Sequence, residues 1–198
     1  MKTGIKIYLV LSGILLIVLS CKVFFAIEPK SELTLNKLTI IDRNSGKPVL
    51  ILADSVPDGV INGKVLPRIF KPRGMVYFDN KGNETGGLIV NNQEGMETAM
   101  FTVDYNNTDA FSIFKNETDT TYAMGIAISD RNTEEEFRKR GTGGTPRIVI
   151  QNRDKNAIFA MTDTKGRERV VFVVGRNDDV QLLVLDTLGK TVKNLATK

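Results

Sequence analysis

The chain has 198 residues, 41% hydrophobic and 25% charged, enough for one folded core of ordinary size and unlike a disordered segment. Its formal charge of +4 leaves little basic surface. Lys2, Lys6 and Lys22 lie in or beside an acid-free leader, and without them 24 basic residues face 23 acidic ones. That balance excludes the dense basic footprint of a nucleic-acid binder. There is no histidine, and Cys21 is the only cysteine. A Ser-His-Asp arrangement, thiol catalysis in the body, cysteine-based zinc sites and an internal disulfide are excluded with them.

The first 27 residues, "MKTGIKIYLVLSGILLIVLSCKVFFAI", open on two lysines and turn apolar from Ile7. Residues 7–27 would extend roughly 30 Å as a helix, about the hydrocarbon thickness of a bilayer. Lys22 is near enough to the far end to reach the interface along its alkyl stem. Lysines ahead of the span keep the N-terminus in the cytoplasm and send the remainder across. The alternative is a lipoprotein signal, because "VLSC" at 18–21 places a small residue before Cys21, the residue that would carry lipid. Both readings put the body outside the cytoplasm at a bacterial cell membrane. The expected organisation is an anchor or signal at 1–27, a polar spacer at 28–34 and an extracytoplasmic domain at 35–198.

From residue 35 onward short apolar segments alternate with Asn, Asp, Gly and Lys. "KLTIID", "PVLILA", "GMVYFD", "GGLIVN", "TAMFTVDY", "AFSIFKN" and "YAMGIAISD" read as strands, followed by "RIVIQN", "AIFAMTD", "RVVFVVG", "VQLLVLD" and "KTVKNL". The last five recur every 10 to 12 residues, the spacing of an antiparallel meander. Valine, isoleucine, threonine and aromatic residues dominate, as a pleated surface favours. Val170 to Val174 and Leu182 to Leu185 are unbroken apolar runs, which points to strands covered on both faces. The expectation is an all-β fold of about a dozen antiparallel strands, closed as a barrel or rolled into two layers.

Two segments interrupt this rhythm. Residues 54–73 hold Pro57, Pro67 and Pro72 with Gly59 and Gly63 and read as an irregular excursion. "TEEEFRKR" at 133–140 sets acids before bases, suiting the dipole of a short helix, and "GTGGTP" follows as a loop. This break is expected to divide the body into two unequal lobes.

One corner recurs. "FDNKGN", "TDTKGR" and "LDTLGK" share Asp-x-x-Gly at Asp79 and Gly82, Asp163 and Gly166, and Asp186 and Gly189; "IDRNSGK" has Asp42 and Gly46 with one residue more. Aspartate opens such a turn by accepting backbone N–H groups, and glycine supplies a positive φ. Calcium loops need more closely spaced oxygens and a later glutamate, so the corners read as structural turns without metal. Glycines flanked by Arg138, Lys139, Arg140 and Arg147 mark the place for an anionic ligand, although a phosphate loop would require Gly-Lys-Ser/Thr opening a helix. No cofactor is expected, and no catalytic residue stands out.

"RGMVYFDNKGNETGGLIV" resembles the central motif of an uncharacterised family of bacterial membrane-anchored all-β proteins. In that family an upstream hairpin and a C-terminal run of Asp-x-x-Gly hairpins flank a GM-aromatic…GGLI motif. Their counterparts here are "LTIIDRNSGKPVLIL" with "DGVINGKVLPR", and "MTDTKGRERVVFVV" with "VLDTLGK", so the likeness covers most of residues 35–195. Gly86-Gly87-Leu88-Ile89 is its most specific part. Lys81-Gly82-Asn83 is less acidic than the family's turn, which speaks further against a metal. The resemblance implies architecture and location and carries no activity.

The expected role is therefore a non-catalytic binding or structural module of the bacterial envelope, its partners the membrane through residues 7–27 and an envelope protein or glycan. One alternative is a carboxylate-dependent enzyme on envelope glycans, which needs two acids converging in a cleft. The other is a barrel around a small apolar ligand, which needs an apolar cavity. A structural module instead leaves an apolar patch or strand edge uncovered.

Overall fold

The computed structural model describes residues 11–20, 32–68, 71–93, 95–133, 135–136 and 144–196. The chain divides into two units, Met1–Leu35 and Asn36–Lys198. In the first, residues 11–20 are helical, and no helix among the described residues is long and apolar enough to cross a membrane. Most of the expected anchor 7–27, including Cys21, lies outside the described residues.

The second unit is antiparallel β. Its strands are β1 (Lys37–Ile41), β2 (Pro48–Ala53), β3 (Gly59–Ile61), β4 (Lys64–Leu66), β5 (Arg73–Phe78), β6 (Glu84–Gln93) and β7 (Met96–Tyr105). They are followed by β8 (Thr108–Glu117), β9 (Tyr122–Ser129), β10 (Pro146–Arg153), β11 (Asn156–Thr162), β12 (Glu168–Val174), β13 (Val180–Leu185) and β14 (Thr191–Asn194). Twelve of them form one sheet in chain order, β1-β2-β5-β6 and onward to β14; β3 and β4 pair separately. The β-rich, hairpin-rich fold expected from sequence is present, but its closure is not. The sheet is open, with β1 and β14 as free edges rather than partners in a barrel. Nor do two lobes form: β10 pairs directly with β9, on either side of the 130–145 segment. The expected helix at 133–140 is described only at 135–136. There Thr133 Oγ1 accepts the Glu136 N–H at 3.2 Å while Glu136 Oε2 accepts the Thr133 N–H at 2.8 Å, a reciprocal cap.

The excursion between β2 and β5 is more ordered than its prolines suggest. Asn62 and Gly63 adopt positive φ and close the β3–β4 hairpin. This flap is tied to the sheet by Gly63 N–H donating to Asn83 Oδ1 at 2.8 Å and by an ion pair between Arg68 and Glu84. Arg68 also donates from Nε to Pro57 O at 2.8 Å. Val56, fully buried, is packed with Ile51, Ala53, Val76 and Phe78. A second small cluster gathers Ala160, Val171 and Leu185 with Ile158, Val173 and Leu183.

The GGLI motif has a steric cause. A Cβ at Gly86 would run into the Thr102 carbonyl and the Tyr77 phenol, and its φ of 147° suits glycine. The absent side chain lets Tyr77 lie across β6 and donate its O–H to Thr102 O on β7. At Gly87 the added carbon would stand 2.7 Å from Met75 O. Gly86→Ala is expected to cost about 2 kcal/mol or more. Gly189→Ala, in open space at φ 78°, should cost only about 1 kcal/mol. Urea midpoints of the two variants measure the difference.

Candidate functional site

Antiparallel pairing places partnered residues on the same face of a sheet. Followed through the registers, one row runs Leu38, Leu52, Met75, Leu88, Phe101, Ile113, Ile126, Ile150, Phe159, Phe172 and Leu182, from β1 to β13. All eleven are large and apolar, seven are exposed and the other four half-buried. The next row on the same face runs from Ile40 and Leu50 through Val103, Phe111, Ile128 and Ile148 to Met161, Val170 and Val184. Tyr77 fills the gap that Gly86 leaves in it.

The opposite face behaves differently. Its central row is Thr39, Ile51, Val76, Gly87, Thr102, Ser112, Ala127, Val149, Ala160, Val171 and Leu183. Ile51, Val76, Ala127, Ala160 and Val171 in that row are buried, and the flap covers its β2–β5 end. The apolar run 170–174 thus has one sheltered face and one open one, Val171 being buried while Phe172 and Val174 are exposed; in 182–185 Leu185 is buried and Leu182 to Val184 are half-buried. The expectation that both faces are covered fails for these strands, because no second layer lies over the outer row among the described residues.

A trough of about 460 Å³ indents the open face, lined by Ile150, Phe159, Phe172, Val174, Val180 and Leu182 among others. Phe159 and Phe172 meet edge-on with centroids 5.8 Å apart. Toward the rim the face turns polar: Lys115 bridges Glu97 at 2.8 Å and Glu117 at 2.7 Å, which pushes its ammonium up to about 12.

A second feature lies where β7 turns into β8. Asp104 and Asp109 stand opposite each other across the Asn106-Asn107 turn, next to a register shift. Burial, reinforced by the neighbouring Asp109 charge and by Glu84, pushes the Asp104 carboxyl up to about 7. Asp109 is raised too, by burial first and then by Glu84, while Arg68 and a hydrogen bond with Asp104 oppose the rise. Asp104 Oδ1, Asn107 Oδ1 and Thr108 Oγ1 are buried without a hydrogen-bond partner. The cation whose charge opposes both shifts is Arg68, already paired with Glu84. Among the described residues no group of three His, Cys, Asp or Glu is placed to hold a metal.

The Asp-Gly corners lie along one edge of the sheet, at the ends of β1, β5, β11 and β13. Asp79 Oδ1 accepts the N–H groups of Lys81 and Asn83, Asp163 Oδ1 those of Lys165 and Arg167, and Asp186 Oδ1 those of Leu188 and Lys190, all at 2.8 to 3.1 Å. Asp42 Oδ1 accepts from Asn44 and Ser45. Gly46, Gly82, Gly166 and Gly189 have φ between 67° and 85°. Arg167 holds the Asp163 carboxyl down to about 2. Arg138, Lys139 and Arg140 lie outside the described residues. Arg147 pairs with Asp130 at 2.6 Å and donates to Thr162 O at 3.0 Å.

No family of known proteins, no curated protein and no solved structure matches this chain. Its chemistry rests on these two features alone: a face that water solvates poorly, and a pair of opposed, largely buried acids near the Arg68–Glu84 ion pair.

The pair makes stability depend on pH. A carboxyl whose pKa is raised on folding stabilises the fold below its unfolded value and loses that contribution as pH climbs through the folded one. For Asp104 the window is from about 4 to about 7. Stability should fall between about pH 4 and 7, and Asp104→Asn should flatten the slope and exceed the parent at pH 8 by about 1–3 kcal/mol. Denaturation midpoints across that range provide the measurement.

Proposed function

We propose that this chain is a non-catalytic structural module of a bacterial envelope, tethered through residues 7–27, whose working part is the open apolar face of its sheet. The carrying observation is the unbroken row from Leu38 to Leu182. Soluble monomers rarely expose contiguous apolar patches beyond a few hundred square ångströms, and larger ones mark contact surfaces. The leader supports the location, through its lysines and its apolar length. The acid pair supports a structural role over a hydrolytic one, since its Arg68 neighbour is committed to Glu84 and the flap.

Native methionines report on this reading. Met124 lies on the open face and is 59% exposed; Met96 lies on the other face and is 45% exposed. If the open face is a contact surface, hydroxyl-radical oxidation in intact membranes should mark Met124 several-fold more slowly than Met96. Faster oxidation of Met124, the order its own exposure dictates, would show the face uncovered and defeat the proposal.

A further inference from the structure

The contact surface proposed above has a shape that selects an occupant. We infer that it binds a second copy of this chain, the two sheets packing face to face over strands β7 to β12; this rests on the open face being a contact surface. Area is the first argument. Six strands at about 4.8 Å spacing and about eight residues at 3.3 Å give a patch of roughly 750 Å². A stable protein–protein interface buries about 800 Å² on each partner. The patch thus comes close to the size of a standard interface without using the edge strands, whose twist would carry them away from an aligned partner.

The second argument is charge. The eleven-residue row contains no ionisable side chain, and the nearest charges on this face of β7 to β12, Glu97, Lys115 and Glu117, are paired within the chain and leave one net negative charge. A partner of opposite charge is not called for, and a basic rim suited to an anionic lipid surface is lacking at that site. The layout is an apolar centre with a self-satisfied polar border, which is the anatomy of a subunit interface.

The third is self-complementarity. A two-fold interface requires each copy to offer both a protrusion and a hollow. The patch has both. Met124 on β9 is among the most exposed apolar side chains of the sheet, and the 460 Å³ trough opens over β10 to β13 on the same face. Methionine is the side chain best able to fill an irregular apolar hollow. A two-fold axis between them seats Met124 of each copy in the trough of the other.

The test uses the full chain in its membrane. Benzoylphenylalanine is placed at Ile126, the membrane is irradiated and the adducts are identified by mass spectrometry. Adducts joining residue 126 to the 146–182 segment of a second copy are expected. Separately, two differently tagged copies are expressed together, and one should retain the other. Ile150→Lys should reduce that retention at least about tenfold, because it buries an unpaired charge. Val49→Lys on the opposite face should leave it unchanged, and wild-type retention stands even where a lysine variant fails to fold. Adducts to lipid alone or to a different protein would overturn the second copy as occupant while leaving the contact face in place. Absence of any adduct, together with freely oxidised Met124, would overturn both.

Discussion

The structure depends on one constraint: side chains alternate with period two, and the register holds that alternation in phase from strand to strand. A slip of one residue at any pairing would send the following strands' apolar residues to the other face. No such slip occurs between β1 and β13 in the middle of the sheet. Register shifts occur at Ile40/Ile41, Tyr77/Phe78, Val103/Asp104, Pro146/Ile148, Met161/Thr162 and Val184/Leu185. All six lie at the same edge of the sheet, where the Asp-Gly corners sit. Turns of three to five residues with a left-handed glycine commonly end in a bulge, and here the bulges are absorbed at the margin. The rows through the middle stay straight because the irregularity is confined to that edge.

The cost of the arrangement follows from its single layer. Backbone groups are satisfied within the sheet, so the hydrogen bonds need nothing from outside. The apolar side chains do. A sheet gains independent stability by packing a hydrophobic face against something. Here the flap covers the β2–β5 end of one face, and small residues such as Ala127 and Ala160 are sheltered among larger neighbours. The other face has no equivalent among the described residues. The free edges, by contrast, are short: β1 has five residues and β14 four, with Lys193 on the latter. Short, charged edges discourage strand addition. The surface available for association is therefore the face and not the rim.

Much of this was legible in the sequence. Each strand of the large sheet had its apolar segment, and the Asp-x-x-Gly spacing announced where chains reverse. Asp104 and Asp109 were legible as well, though only in retrospect: they flank "YNNT" symmetrically, and a tight turn at Asn106-Asn107 must bring i and i+5 together. Asn62-Gly63 was a hairpin signal masked by the surrounding prolines. Closure was not legible. Whether a dozen strands meet as a barrel depends on tilt and accumulated stagger over the whole sheet, which no local pattern records. The apolar runs at 170–174 and 182–185 suggested two covered faces for a physical reason, since such runs normally do require cover.

That mismatch between composition and cover ties the two features together. A strand written apolar on both faces, as β12 is, is consistent with a state in which both are dry. The flap supplies part of that on one side, held by Arg68 and Glu84 beside an acid pair that is more comfortable protonated. Glu84 ties flap to sheet and also presses Asp104 and Asp109 toward their neutral forms, so a single ion pair links the flap's attachment to the pair's proton. Among the described residues nothing comparable serves the other face, where the eleven-residue apolar row runs. The chain thus keeps a structural clasp on one side and, among the described residues, aligns eleven large apolar side chains with no layer over them on the other.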